Sequence, residues 1–554
     1  MKSLIGICDN HDSGACLFED GKIIFAINEE RLNRQKQTRK FPYLSIIECL
    51  KRANNKHIEF VIASNYTPIS LLRFFNKKYS KSNKSQFSYL INMYFLYQIT
   101  IKKLNLDSIE TKNSKKIIQN KIKKLYPIKK NNIHFVEHHR AHATSAYNNS
   151  GFNDSLIITV DSMGDGVSLT VNIAKQGKIK RIYEELGNSA ISLYYSRITE
   201  YLGFRAVRHE GKVLGLSCYG KSNKTKQIFK KLLHYNDKGG FNKINHLLPV
   251  SKKNGIYKEL KKFSKEDIAY GLQQNLETEF MKFVKYWMEK TNIKNISVAG
   301  GLFANVKLNQ RIYEICNKFY VFPHMGDGGL AIGAINSYIK TKKISNLYLG
   351  NSYNNSEILS ELKKTDLSYS KPYNLKKEIS KLLVKNKVVA LFQGNMEFGP
   401  RALGNRTILY RPDDPKINNW LNKKLKRTEF MPFAPVILKK HAKKCFKNLD
   451  FKKFNPKNMT ITYICTDFMK QKCSGVVHID GTARPQIIDK NDNPFYYSIL
   501  DEFYKLTKLP CLINTSFNMH GEPIVCSPYD AIKSFIESKI DYLVIGPYMV
   551  KQNE

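Results

Sequence analysis

Residues 136–174 read VEHHRAHATSAYNNSGFNDSLIITVDSMGDGVSLTVNIA. SLIITV (155–160) is an apolar run ending at Asp161, the turn SMGDG follows, and VSLTVNIA returns as a second strand. Ahead of it, HHRAHATSAY predicts a helix in which His138 and His142, at i and i+4, share one face one turn apart. Two imidazoles so placed can grip one cation, and a carboxylate at a strand end supplies a third ligand. A set of His138, His142 and Asp161 leaves coordination positions open, as a Lewis-acid catalyst needs and a structural site does not. The alternative is that these are ordinary surface or core histidines. His139 lies off the shared face and is not counted as a ligand.

Working outward, the same strand–turn–strand pattern recurs. SLIGICD leads through His11, Asp12 and Ser13 into GACLFEDG, and KIIFAINEER follows a hairpin turn at Asp20–Gly21. Glycine turns recur in NISVAGGLFANVKLNQ and in YVFPHMGDGGLAIGAI. Such turns let backbone N–H groups approach a phosphate closely. Those at Asp12, Asp161–Gly166 and Gly300–Gly301, in that order at strand ends, resemble the acetate-kinase, sugar-kinase and actin class of nucleotide-binding folds.

At 554 residues the chain is expected to hold two or three domains. Residues 1–345 read as the first, with a Lys-rich helical insertion at about 70–130. Residues 346–374 read as a polar linker and 375–554 as a second α/β domain. There Arg401, Arg406, Arg411, Lys426 and Arg427 lie near glycines, Arg484 precedes a strand, and Asn514 to Ser516 end one. Guanidinium forks with hydroxyls suit an anion pocket.

The formal charge is +43. A field of that sign attracts polyanions, but the excess is Lys spread from end to end beside many Asn and Ile, the mixture that genome-wide codon bias produces. The ten cysteines form no CxxC pair, zinc-finger spacing or disulfide framework. With a start that runs straight into a strand, this gives the expectation of a reducing cytoplasm. The apolar run Phe87 to Ile101 is too short to span a bilayer.

HDSGACL, NEERLNRQKQ, HHRAHATSAY, VDSMGDG, HEGKVLGLSCYG, AGGLFANVKLNQRI, GDGGLAIGA, MEFGPRALGNRTIL, MPFAPVIL, HIDGTARPQII and NTSFNMHGEPIV resemble, in this order, the NodU/CmcH family of O-carbamoyltransferases. The resemblance implies an N-terminal actin-like (ASKHA, Kae1-like) domain followed by a C-terminal YrdC-like α/β domain. It implies ATP-dependent formation of carbamoyl-adenylate from carbamoyl phosphate in the second domain. The carbamoyl group then passes, at a metal site in the first, to a hydroxyl of a small molecule such as a sugar, nucleotide sugar or natural product. Iron (Fe2+) is the implied metal, with zinc or manganese as alternatives and Mg2+ accompanying ATP.

Carried over by residue, the metal ligands are His138, His142, Asp161 and Asp327. His11 and Asp12 face the acceptor, His11 as general base. Gly164, Asp165, Gly166, Gly300, Gly301 and Asn305 fall on adenylate-binding turns. Arg401, Lys426, Arg427, Arg484, Asn514 and Ser516 fall on the carbamoyl phosphate and ATP pocket. Met431 stands where relatives carry an arginine. Arg427, or a shifted register in KKLKRTEFM, is the candidate substitute, so the pairing of Lys426 and Arg427 stays open. NMHGEP carries Met519 and His520 where basic residues are common. A tRNA threonylcarbamoyl-adenosine enzyme and a nonenzymatic nucleic-acid-binding protein are the rival readings. No specific nucleic-acid partner is expected, and a homodimer is left open.

Overall fold

The run at 155–160 forms the strand Asp154–Gly164, buried along almost its whole length. It is central in a five-stranded sheet ordered Lys178–Leu186, Val167–Lys175, Asp154–Gly164, Asn295–Ala299, Lys318–Val321. The first three pair antiparallel and the last two run parallel to the centre. The structure is a computed structural model that describes residues 2–55, 57–66, 96–97, 99–102, 104, 107–242, 255–425 and 430–552.

A second five-stranded sheet repeats that order: Lys22–Asn28, Gly14–Glu19, Ser3–Cys8, Ile58–Ala63, Ile133–Val136. Ser3–Cys8 is again antiparallel to its hairpin partner and parallel to the strand on its other side. One topology is therefore used twice. Three of the four antiparallel connections in these sheets are two-residue turns; the pair Ser3–Cys8 and Gly14–Glu19 is joined by the longer Asp9–Ser13. Asp20–Gly21, Asp165–Gly166 and Gln176–Gly177 all take positive φ, as the primed hairpin turns demand. In each sheet the fifth strand leads to a helix. Ile133–Val136 feeds His138–Ser150, and Lys318–Val321 leads through the 3-10 turn Asp327–Gly329 into Leu330–Tyr338. These two helices cross closely: a Cβ on Gly333 would fall 2.2 Å from Ala141 O.

The sheet's outer strand carries a buried acid. Glu185 Oε1 accepts from Tyr183 Oη at 2.8 Å and from Phe241 N at 2.7 Å. Burial pushes its carboxyl from 4.5 up to about 7. The folded chain therefore binds this proton more tightly than the unfolded chain. Stability falls as pH rises through that window and stays low above it, by up to about 3 kcal/mol. Denaturant unfolding between about pH 5 and about pH 8 is expected to show the slope, and Glu185→Gln to lose it.

The chain divides into two compact units, Met1–Ile24 with Arg39–Lys343, and Phe25–Thr38 with Ile344–Glu554. The second holds an eight-stranded mixed sheet ordered Tyr369–Ser370, Tyr548–Lys551, Tyr542–Ile545, Val389–Phe392, Arg406–Tyr410, Cys511–Ser516, Ala434–Leu438, Gln486–Ile488. Leu391, Leu409, Val436, Tyr496 and Phe503 are among its fully buried core.

Two features differ from the boundaries read in the sequence. Residues 346–374, expected as a linker, hold the helix Asn355–Leu362 and the strand Tyr369–Ser370, which pairs with Tyr548–Lys551. Part of the polar cluster that reads as linker is a capping box, Asn354 with Glu357. Residues 25–38, expected in the first domain, group with the second unit. Ala26 N donates to Leu349 O at 3.0 Å there. Within the 70–130 insertion the helix Asp107–Leu125 is described. Most of Phe87 to Ile101 lies outside the described residues. No helix among the described residues is long and apolar enough to cross a membrane.

Candidate metal centre and anion site

The helix His138–Ser150 is capped at its start by Glu137, whose carboxylate accepts from His139 N at 3.1 Å and Arg140 N at 2.7 Å. His139 anchors it to the central strands: Nδ1 meets Thr159 Oγ1 at 2.7 Å and Nε2 meets Val167 O at 3.0 Å. Burial and the neighbouring imidazoles push His139 down to about 3, so it stays neutral. With His139 so engaged, His138 and His142 face elsewhere together.

They face Asp161 and Asp327. His142 Nε2 lies 3.2 Å from Asp161 Oδ2 and 3.6 Å from Asp327 Oδ1. His138 Nε2 lies 3.6 and 3.7 Å from the same two oxygens. Asp161 sits where the strand register shifts between Val160 and Gly164, an irregularity of the kind that re-aims side chains at functional sites. Ser162 N donates to its Oδ1 at 2.6 Å, which leaves Oδ2 to the histidines. Asp327 enters from the second crossover, and Asn10 Nδ2 donates to its Oδ2 at 2.5 Å. All four residues are buried, and each offers a ligand atom within 4.8 Å of the others.

His138 Nδ1 and Nε2 and Asp327 Oδ1 are buried without a hydrogen-bond partner. Orphaned buried polar atoms are rare, and two of these, His138 Nε2 and Asp327 Oδ1, face each other at 3.7 Å among the four side chains, as a shared cation would require. The electrostatics agree. Burial works to lower His138 and His11, yet the carboxylates, Asp327 foremost, outweigh it and hold both up at about 9. Against its own burial, Asp161 is held well below the ordinary carboxylate range by the neighbouring imidazoles of His138 and His142, while burial raises Asp327. These four residues could hold a divalent metal.

His11 borders this centre. Its Nδ1 is 3.1 Å from Asp12 Oδ2 and its Nε2 is 3.2 Å from Asp327 Oδ2. Asp12 takes φ 56, the left-handed region. The glycine turns crowd around the same place. A Cβ on Gly164 would fall 2.2 Å from His138 Cδ2, and one on Gly301 would fall 3.2 Å from Asp161 Oδ1. Gly300 takes φ 107 against the backbone of Val160. Asp165 and Gly166 form the hairpin tip, with Asp165 Oδ1 accepting from Tyr66 N at 2.5 Å. Asn305 stands apart from this cluster. It caps the helix Val306–Ile315 through Leu308 N at 3.1 Å, and its amide donates to Gln273 Oε1 at 2.9 Å. Gly164→Ala is expected to displace the His138 ring and lower metal affinity by about 10–100-fold, read by metal titration of the purified variant.

In the second unit, Arg401 and Arg484 are partly buried. Their segments are joined by Asn514, whose Nδ2 donates to Ala402 O at 3.1 Å and to Gln486 Oε1 at 2.8 Å. Gln486 Nε2 donates in turn to Leu403 O at 2.8 Å. Asn514 also accepts from Thr407 Oγ1, so its amide is spent on fixing the site. Ser516 ends the same strand. Lys426 and Arg427 lie outside the described residues.

Two arginines of the expected anion pocket do other work. Arg406 is fully buried, donates to Gln393 O at 2.5 Å, Asn405 O at 3.0 Å, and Asn351 O and Gly394 O at 3.2 Å, and covers Phe392 at 3.7 Å. Arg411 is bidentate to Asp413 at 2.6 and 2.5 Å. Sequence reading also missed Asn10 and Glu397. Glu397 Oε1 accepts from Leu403 N at 2.7 Å, Asn405 N at 2.8 Å and Arg406 N at 3.1 Å, folding the loop that carries Arg401. Its place in MEFGPRALGNR, a cluster of glycines about one acid, was the available signal.

These elements define a mixed α/β protein with a buried His–Asp centre in one unit and an arginine-bearing loop site in the other. Family models described as carbamoyltransferase N-terminus and carbamoyltransferase C-terminus match residues 3–335 and 380–552. The chain belongs to the carbamoyltransferase family, the NodU/CmcH group, and is a transferase. It is similar to the uncharacterized protein MJ1051 of Methanocaldococcus jannaschii, 33% identical over 99% of each chain. It is also similar to the nodulation protein NolNO of Sinorhizobium fredii, 28% identical over 98% of this chain and 79% of that one. Among solved structures, full-length HypF in a phosphate- and nucleotide-bound form is 13% identical. It covers 61% of this chain and 55% of its own with a TM-score of 0.32, too low to carry an argument.

Proposed function

We propose that the chain is an ATP-dependent O-carbamoyltransferase that works at two sites. In the second unit water hydrolyses carbamoyl phosphate to carbamate and phosphate; a carbamate oxygen then bonds to the α-phosphorus of ATP, and pyrophosphate leaves. In the first unit the oxygen of an acceptor hydroxyl bonds to the carbonyl carbon of the resulting carbamoyl-adenylate. The hydroxyl proton passes to a base and AMP leaves. The observation that carries this reading is the buried set His138, His142, Asp161 and Asp327 in a carbamoyltransferase chain. The strand order used twice supports an actin-like, Kae1-like first unit. The YrdC-like reading of the second rests on the resemblance.

Imidazole and carboxylate donors admit iron, zinc or manganese, and the resemblance favours iron. When bound, such a cation supplies Lewis-acid polarisation of a ligand oxygen. The chain's own residues do the rest. Asp12 orients His11 through Nδ1. The carboxylates keep His11 protonated, so to take the acceptor's proton at Nε2 that atom must first give up its own proton and exchange Asp327 for the hydroxyl. Arg401 and Arg484 hold the phosphate dianion and neutralise charge as the carbamate attacks. Asn514 keeps their segments in register. Mg2+ accompanies ATP, and the acceptor is a small molecule, a sugar or nucleotide sugar in our reading.

Purified protein is expected to release pyrophosphate from ATP only when carbamoyl phosphate is present. Arg401→Ala is expected to slow that release by about 100-fold or more, with thermal unfolding close to wild type. Release driven instead by bicarbonate plus threonine would replace this reading with tRNA threonylcarbamoylation.

A further inference from the structure

The motif NEERLNRQKQ, residues 28–37, has no task in the scheme above. It lies between two strands of a hairpin-rich N-terminal sequence and is matched by the carbamoyltransferase N-terminus. Its residues nevertheless belong to the second unit. The segment forms the short helix Glu29–Asn33, ended by Arg34 at φ 57. Two of its side chains reach the loops that carry the pocket motifs.

Arg31 is 5% exposed. Its Nη2 donates to Gly399 O at 2.9 Å, two residues before Arg401, and lies 3.4 Å from Glu30 Oε1. Arg34 is three residues on. Its Nη1 donates to Ile524 O at 2.8 Å and its Nη2 to Pro523 O at 2.9 Å, while its Nε lies 3.4 Å from Asp530 Oδ1. Pro523 and Ile524 lie in the loop that follows Asn514 and Ser516. One short segment thus grips both loops, Arg34 by a planar fork on two backbone carbonyls and Arg31 by one bond to a third. Carbonyls held by a buried cation have little freedom, and a buried cation so committed is not a solvated charge.

We propose that Arg31 and Arg34 are positioning residues of the carbamoyl phosphate site: they set the spacing between the loop bearing Arg401 and the loop beyond Ser516. The inference deepens the adenylate-forming reading and rests on it. Neither arginine touches substrate. Each acts through a loop whose displacement by about 1 Å is enough to cost on the order of 100-fold at a reacting centre.

The test measures carbamoyl phosphate-dependent pyrophosphate release by the full-length protein carrying Arg31→Gln, Arg31→Lys or Arg34→Gln, beside wild type. Arg31→Gln and Arg34→Gln are expected to raise KM for carbamoyl phosphate about tenfold or more. The KM for ATP and the thermal unfolding midpoint should stay near wild type. Arg31→Lys, which keeps the charge and a donor, should recover part of the change. Wild-type KM in both Gln variants overturns the proposal. So does a fall in kcat and unfolding midpoint together at unchanged KM, which marks a purely structural staple. Absence of carbamoyl phosphate-dependent release from wild type itself would instead sink the adenylate-forming reading.

Discussion

His142→Ala is expected to lose carbamoyl transfer by about 100-fold or more, since even the residues that merely support metal ligands cost 10–100-fold when removed. The same variant should keep carbamoyl phosphate-dependent pyrophosphate release. His142 lies in the first unit, with Nε2 directed at Asp161 and Asp327. The arginines proposed to bind carbamoyl phosphate lie in the second. Alanine removes the imidazole without filling its place, so Asp161 loses the hydrogen bond from His142 that helps to hold it ionised. Two measurements check this: release of pyrophosphate from ATP, and gain of one carbamoyl group (about 43 Da, the mass of CONH) on an acceptor in a panel of nucleotide sugars. Loss of both activities at once would mean that the two half-reactions share one site. A metal titration of the variant gives an independent readout, with weaker binding expected.

Arg406→Leu is expected to destabilise the second unit by about 3–5 kcal/mol, a cost typical of breaking a buried charged network. Leucine approximates the volume but leaves the carbonyls of Gln393, Asn405, Asn351 and Gly394 without their donor. Burial lowers the pKa of Arg406, and the Glu397 carboxylate is the charge that chiefly offsets it. Removing the cation therefore also leaves Glu397 buried without that compensation. Denaturant unfolding should show the loss as a lower midpoint at unchanged slope. Arg401→Ala should leave the midpoint nearly in place. The contrast separates two arginines of one motif, five positions apart, into one that holds the loop and one that the loop presents. Equal stability losses in both would contradict that division.

Much of the first unit was legible in the text. An Asp–Gly pair between apolar runs, as at Asp20–Gly21 and Asp165–Gly166, is a strong local signal for a primed hairpin turn. The spacing of His138 and His142 put both on one helix face by geometry alone. Asp161 was legible as the acid that ends an apolar run, but the strand continues past it to Gly164, and Asp161 sits at an irregularity inside it. The polar stretch 346–374 was misread for a related reason. Asn354 and Glu357 are turn-like as residues, and they become a helix cap only with the helix they start.

Periodicity, turn chemistry, the i, i+4 histidine pair and the acid closing an apolar run are local properties, so the sequence by itself pointed to the strands, the hairpins and three of the four candidate metal ligands. Only the tertiary structure decided that His11 Nε2 and Asn10 meet Asp327 from the other repeat. Only it decided that His139 is bound to Thr159 and Val167, and that residues 25–38 join the second unit. It also decided which arginines are spent. A guanidinium's role depends on whether carbonyls or solvent surround it, and those neighbours come from positions as far apart as Arg31 and Gly399. No pattern along the chain encodes that distance, because burial is fixed by what packs on a residue rather than by what precedes it.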